Sequence, residues 1–291
     1  MKKDTVFEGV CTALITPFKG DNIDFSAAEV LIERQISAGV SALVVCGTTG
    51  ENSTLSDGEH RRMIRFTVDT VKGRVPVIAG TGSNDTRHAC EMTHYATEVG
   101  ADALLTVTPY YNKANEEGLY RSFKKIAEST NLPIILYNVP TRTCVDMSPE
   151  LCARLCEINN IVGLKEASSS LEKIVYTRHL CKDKLDIYSG NDDLTLPVLS
   201  VGGKGVISVL SNLFPDKMCE LWNAWLAGER ESAAELQTSL SPLMRAMFCD
   251  VNPIPVKYAM SLLGLCREDV RLPLFPLDEK RKMLIHSLVY H

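Results

Sequence analysis

The sequence predicts a (β/α)8 TIM barrel with a C-terminal helical extension. Eight short apolar runs recur along the 291 residues, helical patterns separate them, and only helical patterns follow the eighth. The runs span 9–15, 41–46, 75–79, 103–107, 133–137, 161–165, 185–189 and 205–209. They are apolar nearly throughout, as in Leu43-Val44-Val45 and Ile134-Ile135-Leu136, which suits strands buried on both faces of a parallel sheet. Their starts lie roughly 20 to 34 residues apart, enough for the helical crossover that a parallel connection requires. A doubly wound open sheet satisfies the same periodicity and stays open as the competing arrangement.

The segments between the runs carry their own punctuation. Ser26 and Glu29 form an S-x-x-E capping box, Ala28, Leu31, Ile32 and Ile36 follow at helical spacing, and Gly39 supplies the stop. Ser56 with Glu59 repeats the box, and Ser148 before Pro149 reads as an N-cap with proline in the first turn. Further helices are predicted over 85–99, 116–129 and 171–181. After the eighth run come helical patterns over 215–227, 229–248, 255–263 and 278–289, with proline-rich breaks at Asn252-Pro253-Ile254-Pro255 and Leu272-Pro273-Leu274-Phe275-Pro276. The barrel is therefore assigned to 1–228 and a helical annex to 229–291.

Composition narrows the function. Hydrophobic residues make up 45% and charged residues 23%, enough to bury a sizeable core. Net charge is 31 minus 36, or -5, with no block of like charges, so no basic surface for nucleic acid or a membrane is expected. Asp4 and Glu8 interrupt any signal-like stretch behind Met1-Lys2-Lys3, and no run of 18 apolar residues occurs, so a cytoplasmic location is expected. The ten cysteines include no C-x-x-C pair, and the six histidines show no zinc-binding spacing. The closest cysteine pair is Cys152 with Cys156, whereas Cys46 follows Ala42-Leu43-Val44-Val45 as a small buried hydrophobe would. No metal is expected, and a reducing compartment fits. Gly80-Thr81-Gly82 and Gly203-Lys204-Gly205 lack the third glycine of a dinucleotide fingerprint, and there is neither a P-loop nor a G-x-S-x-G elbow.

Lys165 is the most informative residue. It ends the otherwise apolar strand Ile161-Val162-Gly163-Leu164-Lys165, where an unpaired ammonium is costly. Burial draws a lysine toward its neutral, nucleophilic form, and such an amine condenses with a ketone to a Schiff base. The structural alternative is a barrel-mouth lysine paired with Glu166. Tyr137 ends the neighbouring strand, so in a barrel its phenol stands near Lys165 at the same face and can shuttle protons. The turn Gly47-Thr48-Thr49-Gly50-Glu51 ends the second strand, with backbone N–H groups that can hold a carboxylate.

Five motifs, in order, resemble the 4-hydroxy-tetrahydrodipicolinate synthase family of pyruvate-dependent class I aldolases, over essentially the whole chain. They are Gly47-Thr48-Thr49-Gly50-Glu51, Thr106-Val107-Thr108-Pro109-Tyr110-Tyr111-Asn112, Tyr137-Asn138-Val139-Pro140-Thr141-Arg142-Thr143, Gly163-Leu164-Lys165-Glu166-Ala167 and Asn252-Pro253-Ile254-Pro255-Val256-Lys257. The resemblance implies condensation of pyruvate with L-aspartate-4-semialdehyde, in lysine and diaminopimelate biosynthesis, through an imine on Lys165 and without a further cofactor. It implies a proton relay of Thr49, Tyr137 and Tyr111, with Tyr111 supplied to a neighbouring subunit's site. Thr48 and Thr49 would hold the pyruvate carboxylate, Arg142 the semialdehyde carboxylate, and Gly190 and Ile207 would line the pocket through their main chain. A lyase acting on a sugar acid, of N-acetylneuraminate or keto-deoxy-sugar type, and a non-catalytic barrel that binds an oxo acid are the alternatives. Arg142 argues against the first, and the joint presence of Lys165, Tyr137, Thr49 and Tyr111 against the second.

The same resemblance implies a homo-oligomer, at least a dimer and in the family's pattern a tetramer. Cys144 stands where the motif usually has glycine, a departure that bears on the geometry of the Arg142 loop. In lysine-inhibited members an allosteric pocket is built from positions matching Asn52, Ser53, Asp57, His60, Asn84, His88 and Tyr110. An acidic residue is expected where this chain has His88, so weak or absent inhibition by lysine is expected.

Overall fold

In the computed structural model, which describes residues 3–290, all eight apolar runs form strands. They are β1 (Gly9–Ala13), β2 (Ala42–Val45), β3 (Val77–Gly80), β4 (Ala103–Val107), β5 (Ile134–Asn138), β6 (Ile161–Glu166), β7 (Asp186–Ser189) and β8 (Gly205–Ser208). Each pairs in parallel with the next, and β1 pairs with both β2 and β8, so the sheet closes and the open arrangement is excluded. Side chains alternate across each strand. One set, including Cys11, Val44, Ile78, Leu105, Ile135 and Ile207, fills the barrel interior. The other, including Val10, Leu43, Val45, Leu104, Ile134 and Leu136, belongs to the core between strands and helices. The Phe7 ring stacks on Tyr188 with centroids 4.2 Å apart, and the Tyr188 hydroxyl donates to the Phe7 carbonyl at 2.9 Å. This plugs one end of the barrel.

One crossover helix follows each strand: α1 (Phe25–Ser37), α2 (Asp57–Val71), α3 (Thr86–Glu98), α4 (Glu116–Ala127), α5 (Pro149–Leu155), α6 (Leu171–Cys181), α7 (Thr195–Ser200) and α8 (Pro215–Leu226). The box expected at Ser56 is present: the Ser56 hydroxyl accepts the Glu59 N–H, and Glu59 accepts the Ser56 N–H at 2.9 Å. Ser148 caps α5 by accepting the Leu151 N–H at 3.0 Å. The box expected at Ser26 does not form. Asp24 caps α1 instead, its carboxylate accepting the Ala27 N–H at 3.0 Å, so Ser26 lies inside the first turn. Asp24 is as good an N-cap residue as serine and sits one residue before the helix begins.

The extension consists of α9 (Arg230–Ala246), α10 (Ile254–Leu262) and α11 (Glu279–Tyr290). It packs back against α8 and is tied to the barrel by cations. The Phe18 ring has the Lys257 ammonium 4.1 Å and the Arg271 guanidinium 4.5 Å from its centroid, a cation–π arrangement. Arg271 also forks onto Glu59, with contacts of 2.8 and 2.6 Å, and that hydrogen bonding holds the Glu59 carboxyl down to about 2.

Candidate active site

Strand register brings Lys165 and Tyr137 together. They are paired neighbours on β6 and β5, both buried, and the Lys165 ammonium lies 4.2 Å from the centre of the phenol ring. The alternative pairing of Lys165 with Glu166 does not form, because consecutive strand residues face opposite sides. Glu166 points outward, where it accepts from the Asn138 side-chain amide at 2.9 and 3.0 Å and from the Ser168 N–H at 2.7 Å, and faces Lys173 at 3.6 Å. Among the described residues no carboxylate lies within ion-pair distance of the Lys165 ammonium.

A cavity of about 430 Å3 opens over this pair, lined also by Thr49, Arg142 and Gly190. In the turn after β2, the Gly50 and Glu51 N–H groups bond to the carbonyls of Gly47 and Thr48, at 3.1 Å each. The Thr48 and Thr49 N–H groups have no hydrogen-bond partner among the described residues, so this turn presents two free donors. Gly190 follows β7 so closely against β6 that an added Cβ would lie 2.7 Å from that of Ala167, and its N–H donates to the Glu166 carbonyl at 2.8 Å. Only glycine fits that approach without a shift.

Arg142 lies on a one-turn helix, Pro140–Thr143, and one arm of its guanidinium donates to the Asn252 carbonyl at 2.9 Å. Its other donors remain available for a planar anion. Cys144 ends that turn at φ 55, the left-handed conformation for which glycine is suited, and its N–H bonds to the Pro140 carbonyl at 2.9 Å. The loop thus keeps a glycine-like shape at a backbone cost of about 1–2 kcal/mol.

A family profile described as the Dihydrodipicolinate synthetase family matches residues 6–291. The chain belongs to that family. It is similar to a 4-hydroxy-tetrahydrodipicolinate synthase of Syntrophus aciditrophicus, with 50% identity over 98% of this chain and 100% of the relative. Among solved structures, the dihydrodipicolinate synthase of Aquifex aeolicus superposes with a TM-score of 0.96 at 42% identity, covering 98% of this chain and 97% of that one. A monomeric dihydrodipicolinate synthase variant superposes with a TM-score of 0.96 at 43% identity, covering 98% and 96%.

Within this family frame, the expected residues divide into those the single chain assembles and those it does not. Lys165, Tyr137, Thr49, Arg142 and Gly190 line one cavity. Thr48 lines a second, of about 260 Å3, which shares Tyr137, Val139 and Arg142 with the first and also takes in Asn52, Ser53 and Tyr110. Ile207 is fully buried in β8, and Tyr111, at 93% exposure, projects into solvent; neither lines these cavities. His60 is buried against the Gly80 carbonyl at 2.8 Å, and burial pulls its imidazole below the ordinary histidine range. His88 faces Asp57 at 3.7 Å, while the Asn84 carbonyl accepts from the Asn112 side chain at 2.9 Å.

Two annex residues carry contacts that the sequence alone does not reveal. Asn252 donates through its side-chain amide to the Thr49 hydroxyl at 2.9 Å. Lys257 forms a fully buried ion pair with Glu51, whose carboxylate also accepts the Arg271 N–H at 3.1 Å. Burial pulls Lys257 below the usual lysine range against the opposing pull of Glu51. Both residues lie in the fifth motif, but nothing local marks them as partners of a turn some two hundred positions earlier. Because Lys257→Ala would leave the Glu51 carboxylate buried and unpaired, it is expected to destabilise the fold by about 3–5 kcal/mol in chemical denaturation. A loss below about 1 kcal/mol, the range of an exposed pair, would contradict that.

Proposed function

We propose that this enzyme condenses pyruvate with L-aspartate-4-semialdehyde through a Schiff base on Lys165, giving 4-hydroxy-tetrahydrodipicolinate for lysine and diaminopimelate biosynthesis. Lys165 carries the reading: it is a buried amine at the end of a barrel strand, with a phenol beside it and no carboxylate partner among the described residues. The relatives named 4-hydroxy-tetrahydrodipicolinate synthase, at about half identity over nearly the full chain, supply the substrate pair.

The Lys165 amine attacks the carbonyl carbon of pyruvate, and uptake of one proton with loss of water leaves a protonated imine. Its cationic nitrogen draws electrons from the adjacent methyl group, which loses a proton to give an enamine. That carbon attacks the aldehyde of the semialdehyde. The substrate amine then adds to the imine carbon and displaces Lys165, closing the ring and restoring the free enzyme. Thr49 and Tyr137 carry protons to and from these centres, with Tyr111 reaching in from a neighbouring subunit. The free N–H groups of Thr48 and Thr49 are suited to the pyruvate carboxylate, and the Arg142 fork to that of the semialdehyde.

The exposure of Tyr111 supports a homo-oligomer, since its own chain gives the ring no role in these cavities. We place the enzyme in the cytoplasm, with the rest of amino-acid biosynthesis. No helix among the described residues is long and apolar enough to cross a membrane.

Arg142→Ala is expected to lower kcat/KM for the semialdehyde roughly ten- to hundredfold, the loss of a charge-assisted contact, while pyruvate imine formation is unchanged. Turnover of a sugar acid faster than the condensation would favour the lyase alternative. Lysine is expected to inhibit weakly or not at all. His88 stands close to Asp57 and, at 4.0 Å, Glu91, so the imidazole engages carboxylates that a cationic ligand would otherwise meet. Titration of the activity with lysine checks this; half-inhibition at sub-millimolar lysine would contradict it.

A further inference from the structure

Thr49 and Arg142 belong to different loops and have different tasks in the proposed reaction, yet one annex residue holds both. The Asn252 side-chain amide donates to the Thr49 hydroxyl oxygen at 2.9 Å, and its main-chain carbonyl accepts from Arg142 at 2.9 Å. Asn252 is buried and lines the same cavity as Lys165 and Tyr137, while its side-chain oxygen has no hydrogen-bond partner. The donor half of the amide is therefore the half that Thr49 engages.

The direction of that bond matters. A threonine hydroxyl has a single proton and two acceptor positions. With the Asn252 N–H occupying one acceptor position, the Thr49 proton is not taken by Asn252 and is free to be donated into the cavity that Tyr137 also lines. An acceptor at the same place would take the proton and leave Thr49 able only to receive. We propose that Asn252 is a positioning residue that sets the polarity of the relay, fixing Thr49 as a donor toward Tyr137 while its carbonyl braces Arg142. The inference rests on the reading that Thr49 and Tyr137 carry protons in the condensation. Through it the annex acts on the chemistry as well as on the fold.

Asn252→Asp tests polarity at nearly constant shape. It keeps the main-chain carbonyl for Arg142 but, when ionised, can only accept from Thr49. We expect kcat to fall about tenfold or more as pH rises through the titration of the introduced carboxyl, a limb absent from the wild type. Below that limb the protonated acid donates again and kcat recovers. KM for the semialdehyde stays within about threefold throughout, since the Arg142 contact is kept. In a Thr49→Val background the same substitution should no longer change kcat. If Asn252→Asp does not fold, Asn252→Ala replaces it: kcat should fall in the wild type and not in the Thr49→Val background.

A wild-type pH profile for Asn252→Asp, with Thr49→Val alone strongly impaired, would overturn the polarity role and leave the relay intact. Undiminished kcat in Thr49→Val alone would overturn both the relay and this inference. Equal additive losses in both backgrounds would reduce Asn252 to a structural part.

Discussion

The alternation of side chains along β6 is the constraint on which the site depends. In a closed parallel barrel every strand residue faces either the interior or the helices, and Lys165 and Glu166 are therefore sent to opposite sides. Glu166 finds Asn138, the Ser168 N–H and Lys173 on the outer side. Lys165 is left inside with Tyr137, with no carboxylate within ion-pair distance among the described residues. A shift of one residue in this strand would exchange them, placing a carboxylate in the cavity and an ammonium in the polar network behind it. The register of β5 against β6, which pairs Tyr137 with Lys165 and Asn138 with Glu166, secures both arrangements at once.

The annex extends that order to the loops. A turn of threonines and glycines at the mouth of a barrel has few contacts of its own, and its two free N–H groups can form a useful anion cradle only if the turn is held still. The Glu51–Lys257 pair does so from beneath, isolated from solvent and braced by the Phe18 ring. Asn252 does so from the side, through Thr49. A buried ion pair is a poor source of net stability against an apolar alternative, but it is sensitive to position, and position is what this turn requires. Glu51 itself sits at φ 53, so the backbone accepts a left-handed residue in order to turn that carboxylate inward.

Much of this was legible in the sequence. The eight strands announce themselves as continuous apolar runs because both faces are buried, and the caps at Ser56 and Ser148 are local patterns with local causes. The cap of α1 is ambiguous in the sequence because Asp24 and Ser26 are both good N-cap residues two positions apart, and only the path of the chain from the short antiparallel pair Phe18–Lys19 and Asn22–Ile23 decides between them. The helix α7 carries no sequence signal, because six residues containing Pro197 show too little periodicity. At the site, Lys165 and Tyr137 could be placed from strand ends alone. Asn252 and Lys257 could not be given roles, since their partners lie 203 and 206 residues away and are selected by tertiary packing. Tyr111 marks a different boundary: its side chain faces solvent, and its proposed role requires a second copy of the chain.

A covalent imine between Lys165 and pyruvate, the intermediate from which the proposed condensation proceeds, is trapped by reduction with borohydride. The protein incubated with pyruvate and then reduced should gain the mass of one reduced pyruvate adduct per chain, located by peptide mapping at Lys165, and the gain should vanish in Lys165→Arg. An unmodified mass after reduction, or an adduct on another lysine, would exclude Lys165 as the imine-forming residue.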